Sequence, residues 1–197
     1  MRQVAILMLL ALVLPLAAWA SSSQDIVNAG GTLTGSNSGM SLTGSMLIKV
    51  GDSMGANLGS FTFTTGALIS GNLQTGATFA GGGMVMITGN GTNGVPNGVI
   101  FTGTFTGPVT WTESVSTIGK HVHYSYTLSG LATGNGMTLS ITQLVPAENH
   151  PFRGTGTIAS GDSELSVTAV PEPGTLGLLG TGLVGLAGLV RRRVRSS

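Results

Sequence analysis

A period of two runs through the middle of this chain and constrains its fold more than any other feature. Phe61-Thr62-Phe63-Thr64 and Val109-Thr110-Trp111-Thr112 alternate large apolar residues with threonine. Val122, Tyr124, Tyr126 and Leu128 share one parity, and so do Met137, Leu139 and Ile141, after which the pattern drifts. Successive side chains of a strand point to opposite faces, so this spacing lines one face of a sheet. Met84-Val85-Met86-Ile87 is continuously apolar and predicts a strand buried on both faces. Between these runs stand Asn90-Gly91, Asn93-Gly94, Asn97-Gly98 and Asn135-Gly136, pairs suited to turns that need positive φ. No apolar 3.6-residue period is sustained anywhere in residues 21–169, which argues against helices there.

Strands at this spacing, rich in Thr, Val, Phe and Tyr, predict an all-β domain: an antiparallel β-sandwich of about eight to ten strands. Its inward residues would be Phe61, Phe63, Phe79, Phe101, Phe105, Trp111, Tyr124, Tyr126 and Leu139. A glycine-rich β-solenoid is the alternative, suggested by FTFTTG at 61–66 and FTGTFTG at 101–107. It lacks the constant period that solenoids require.

Charge narrows the function classes. Only 8% of residues are charged, against roughly 25% in an average soluble domain. In residues 21–169, Lys49, Lys120 and Arg153 face Asp25, Asp52, Glu113, Glu148, Asp162 and Glu164. This acidic balance offers no basic patch to neutralise phosphates, so no nucleic-acid partner is expected. With no cysteine in the chain, disulfides, zinc–thiolate sites and cysteine nucleophiles are excluded.

His121-x-His123 is the only spacing that resembles metal ligands. On a strand both imidazoles share a face, with Glu113 or Glu148 as candidate third ligands. Two ligands do not make a closed set, so no metal or cofactor is predicted. Glu148-Asn149-His150-Pro151 reads as a proline-bounded loop, and Asp162-Ser163-Glu164 as a short acidic turn. No Gly-x-Ser-x-Gly elbow occurs. The threonines Thr62 and Thr64, with Thr102, Thr104 and Thr106, could form a flat hydroxyl array, although strand propensity explains them as well.

The two ends carry a different message. Residues 1–20 place Arg2 before an apolar run from Val4 to Leu14, then Pro15, then Ala18-Trp19-Ala20. This is the layout of a secretory signal peptide. Ala18 and Ala20 are the small residues that signal peptidase reads, and the mature chain would begin at Ser21. At the other end, the two prolines make residues 170–173, Val-Pro-Glu-Pro, stiff and extended. Residues 175–190 are uncharged and rich in Leu and Gly, a predicted transmembrane helix that is short for a bilayer. The basic tail at 191–197 holds Arg191, Arg192, Arg193 and Arg195. Translocating one arginine costs about 2.5–3.5 kcal/mol on insertion scales, so these four would keep the C-terminus cytoplasmic.

Pro171-Glu172-Pro173, the apolar run to Val190 and the arginines resemble, in that order, the PEP-CTERM sorting domain. The resemblance implies a Gram-negative bacterium, export, transient anchoring in the inner membrane, and processing near 170–174 by an exosortase-type membrane enzyme. Release would be to the cell surface or beyond, with exopolysaccharide as a candidate partner. It implies nothing about residues 21–169. The expectation is an exported, non-enzymatic cell-surface or extracellular-matrix protein. A carbohydrate- or ligand-binding sandwich is the alternative and needs Trp111, Tyr124 and Tyr126 exposed on a concave face. A secreted hydrolase would need two or more of Asp52, Glu113, Glu148, Asp162 and Glu164 in one cleft.

Overall fold

A computed structural model describes residues 23–167. The signal segment 1–20 and the tail 170–197 lie outside the described residues, as do the helices expected there. The strands are β1 (Ser23–Ala29), β2 (Thr32–Ser36), β3 (Gly39–Val50), β4 (Ser53–Met54), β5 (Gly59–Thr64), β6 (Leu68–Asn72) and β7 (Gly76–Phe79). They continue as β8 (Gly82–Asn90), β9 (Asn97–Phe105), β10 (Val109–Ile118), β11 (His121–Gly134), β12 (Met137–Glu148), β13 (Thr155–Thr157) and β14 (Ser160–Val167).

All pairings are antiparallel, and the sheet closes on itself. Around the ring the order is β1, β3, β5, β8, β9, β11, β12, β14 and back to β1, an eight-stranded barrel. The all-β expectation holds, while the sandwich and the solenoid are both replaced by this barrel. Local alternation specifies strands and faces, but closure is set by the long-range pair β1–β14, which brings the first strand against the last while the β11–β12 hairpin completes the ring. Closure also pairs the outer strands that a sandwich would leave with open edges.

Long strands carry two neighbours in succession along one edge. β3 pairs with β2 through residues 39–43 and with β1 through residues 46–50. β11 pairs with β9 at Ala132 and Thr133, and with β10 from His121 to Ser129. β10 extends outward to β7 and β6. The short strands β2 and β13 pair with each other beside the barrel.

The alternation is realised in the core. Phe61, Phe63, Phe79, Phe101, Phe105, Trp111, Tyr126 and Leu139 are buried, and Tyr124 is half-buried against the same core. Phe61 and Phe101 flank Ile87 in one row, which accounts for the similar FT-rich segments at 61–66 and 101–107. Eight strands leave an interior just wide enough for side chains, and phenylalanines fill it. Phe63 meets Phe61 and Phe105 edge-on, at centroid distances of 6.2 and 5.9 Å.

Three local expectations are corrected. Val85 and Ile87 point inward, but Met84 is exposed and Met86 intermediate, so β8 is buried on one face only. Asp162-Ser163-Glu164 is mid-strand in β14: small Ser163 points in and both acids point out. Asn97-Gly98 opens β9, whereas Asn135-Gly136 forms a two-residue hairpin turn with both φ positive, at 52° and 71°.

Candidate functional site

The parity of β12 continues where the sequence drifts. Gln143 is buried at the next inward position, followed by Val145. Its amide reaches Asn28 on β1 across the intervening β14. Gln143 Nε2 donates to Asn28 Oδ1 at 3.0 Å, and Asn28 Nδ2 donates to Gln143 Oε1 at 2.9 Å and to Ser45 Oγ at 2.8 Å. Ser45 Oγ donates onward to Ala29 O at 3.2 Å. The residue between the two amides in register is Gly161, whose missing side chain leaves the space they occupy. Satisfied buried polar groups hold strands in register, so this trio acts as a pin in the barrel wall.

The aromatic residues needed for a stacking site turn inward. Trp111 lies parallel to Tyr126, with 4.9 Å between centroids and 6° between planes, and Phe152 meets the indole edge-on at 5.0 Å. Trp111 Nε1 donates to Leu73 O at 2.9 Å, and Tyr126 OH donates to Gln74 O at 2.7 Å while accepting from Phe152 N at 3.0 Å. Burial raises the Tyr126 phenol above its ordinary pKa. Of Trp111, Tyr124 and Tyr126, only Tyr124 keeps partial exposure, so the concave aromatic face is not formed.

Three of the acids gather in one place. Asp25, Asp162 and Glu164, with Ser23, Ser140 and Thr142, line a shallow depression on the outer face of β1, β14 and β12. Two of the five acids considered for hydrolysis thus meet there together with Asp25, on an open surface. Glu113 lies 3.2 Å from Tyr126 OH on β10, and Glu148 Oε2 is 3.3 Å from His150 Nε2. Lys49 Nζ binds Asp25 at 2.5 Å and holds that carboxyl below its ordinary pKa. Asp162 is raised, first by desolvation and then by its hydrogen bond with Asp25.

These two shifts have opposite signs for stability. The contribution of Asp25 is present above its unfolded pKa and is lost as pH falls through the lowered folded value. The contribution of Asp162 is present below its unfolded pKa and is lost as pH rises through the raised folded value. Asp162→Asn should therefore raise the melting temperature by a few degrees at about pH 7, and the gain should vanish near pH 3. An equal gain at both pH values would show that charge crowding is not the cause.

His121 and His123 share one face of β11, opposite Ile118 and Ser116 of β10. Glu113 is on the other face, opposite Tyr126, and Glu148 stands opposite Tyr124 and pairs with His150. Among the described residues no three His, Cys, Asp or Glu side chains gather to hold a metal. The outer hydroxyls also fail to form the suggested array. Met86 separates Thr62 from Thr102 in register, and the curved barrel wall is not flat.

The described residues thus form an all-β barrel without a stacking platform or metal set, directly followed in sequence by a sorting signal. Residues 169–193 match the PEP-CTERM protein-sorting motif, and the chain carries that motif at its C-terminal end. The motif indicates export, a membrane-associated sorting step and an exosortase-type processing partner. No curated protein and no solved structure matches the chain.

Proposed function

We propose that this chain is an exported, non-enzymatic protein of the cell surface or extracellular matrix, in which the barrel is the cargo and the tail its delivery device. The observation that carries this reading is the junction: β14 ends at Val167 and the sorting motif begins at residue 169. The signal peptide at 1–20, cleavage after Ala20 and the anchoring helix at 175–190 belong to the same proposal. The barrel itself supports a structural role. Its interior is filled by side chains, and its acids lie on an open face where water is not excluded from a reacting group.

The outer wall mixes Thr and Ser with a few charges and scattered exposed apolar residues such as Met46, Met84, Val99 and Leu131, and the inner wall is almost wholly apolar. This is the reverse of a membrane-spanning barrel, whose lipid-facing side is apolar. It suits a barrel that stands in water after release.

The test is Pro171, Glu172 and Pro173 changed together to Ala. Membrane insertion should be unaffected, because residues 175–190 and the four arginines are intact. Processing should fail, so the uncleaved form changes from a minor to the major species in the inner-membrane fraction, read with antiserum to the barrel. A triple mutant released like the wild type would sink the sorting role of the motif.

A further inference from the structure

β10 and β11 run beyond the barrel as a two-stranded arm. β11 meets β12 only from Tyr124 onward, and β10 meets β7 only at Val109, Thr110 and Trp111. The β10–β11 register is unbroken to the turn at Gly119 and Lys120, where Gly119 has φ 67°. His121 and His123 stand at the tip of this arm, His121 exposed and His123 half-buried. They are two of the three histidines in the chain.

Among the described residues, His150 is the only histidine with a side-chain hydrogen bond or ion pair, to Pro151 O and Glu148. The imidazoles of His121 and His123 therefore each keep a nitrogen lone pair for a ligand. No bulge interrupts the pairing between them, so they project from one face with Cα atoms about 7 Å apart. Imidazoles at that spacing can converge on one ion about 2.0–2.1 Å from each nitrogen. Ser116 and Ile118 lie opposite them on β10 and share that face.

The surroundings select the ion. Glu113 and Glu148 stand on the opposite face of the arm, in register with Tyr126 and Tyr124. Calcium and magnesium take oxygen ligands and draw on carboxylates, which this face lacks. The charged residue adjoining the pair is Lys120, a cation, so binding must come from nitrogen donation rather than from charge. Imidazole suits zinc, nickel and copper, and affinity along the divalent series is highest for copper(II). A structural zinc site needs four protein ligands, whereas two nitrogens with oxygen in the remaining places suit the tetragonal copper(II) ion.

We propose that His121 and His123 form an open two-imidazole site that captures copper(II) at the tip of the arm, with water in the remaining positions. The pairing with β10 keeps β11 extended and so fixes the angle between the two ligands. The site adds a ligand to the cargo and does not depend on the sorting role of the tail.

The test uses the full-length chain purified from its own cells and stripped of metal with a chelator. Copper(II) chloride titrated by calorimetry should bind at one ion per chain, and the electron paramagnetic resonance spectrum should show splitting from two nitrogens. Calcium and magnesium chloride should give no binding heat. His121→Ala or His123→Ala leaves one imidazole and should weaken binding about a hundredfold, because the second contact is no longer intramolecular. His150→Ala should bind like the wild type. His123→Ala combined with Val122→His keeps the number of histidines but turns the two to opposite faces. That chain should bind no better than His123→Ala alone. Both positions lie outside the barrel, so all these variants should melt with the wild type in the absence of metal. Binding unchanged when both histidines are alanine, binding restored in the rearranged chain, or binding lost with His150→Ala would each overturn the proposal.

Discussion

Trp111→Ala is expected to remove about 3–5 kcal/mol of stability, the usual cost of truncating a large buried aromatic. That is a large share of the roughly 5–15 kcal/mol that holds a domain folded. The indole stacks on Tyr126, meets Phe152 edge-on and donates to Leu73 O, so its loss opens a cavity and leaves a carbonyl unpaired. It also joins the β6–β7 turn to β10 and β11, which lie far apart in sequence. Urea unfolding should show a lower midpoint with an unchanged slope. Ile118→Ala, at an exposed position of the arm, is the control and should cost under about 0.5 kcal/mol. Equal losses from the two variants would contradict the packing described above.

Gly161→Ala is expected to have a comparable effect from a single methyl group. A Cβ at this position would overlap Asn28 Oδ1 and both polar atoms of the Gln143 amide. Overpacking of this kind costs about 1–3 kcal/mol. Forcing the amides apart would leave buried donors and acceptors unpaired, at about 1–3 kcal/mol more. Gln143→Ala in the same chain removes two of the three overlapping atoms and leaves Asn28 room to turn aside, so the double variant should recover part of the overpacking loss. If Gly161→Ala melted with the wild type, the amide pair would not occupy the place assigned to it. The substitution is informative because nothing else in β14 distinguishes residue 161 from its neighbours: its backbone is ordinary strand, and the requirement comes wholly from two residues on other strands.

The polar trio and the acidic face illustrate a common limit on reading sites from sequence. Gln143 interrupts the apolar series Met137, Leu139, Ile141, and by alternation alone it looks like the end of a pattern. Its partner Asn28 lies 115 residues away, so no local signal links the two. A polar residue at an inward parity, followed by a return to apolar Val145, was the available sign. Likewise Asp25, Asp162 and Glu164 come from opposite ends of the domain. They meet only because β1 and β14 are neighbours, with Asp25 opposite Glu164.

Whatever short-range physics controls was legible along the chain. Alternation marked the strands around Phe61, Phe101, Trp111, Tyr126 and Leu139 and the side of each that is buried. Asn135-Gly136 specified a tight hairpin, because both residues accept positive φ. The tail carried its sorting signal in contiguous residues, legible without any fold. Closure was decided only by the tertiary structure. Each strand of a sandwich and of a barrel satisfies the same alternation, and the difference lies in whether the outer strands of the sheet find each other. Here β14 fits between β1 and β12, and Gly161 admits the amides that span it. The same closure left β10 longer than the neighbour that covers it. The exposed arm is therefore a product of strand lengths matched across the sheet, a quantity that no single segment contains.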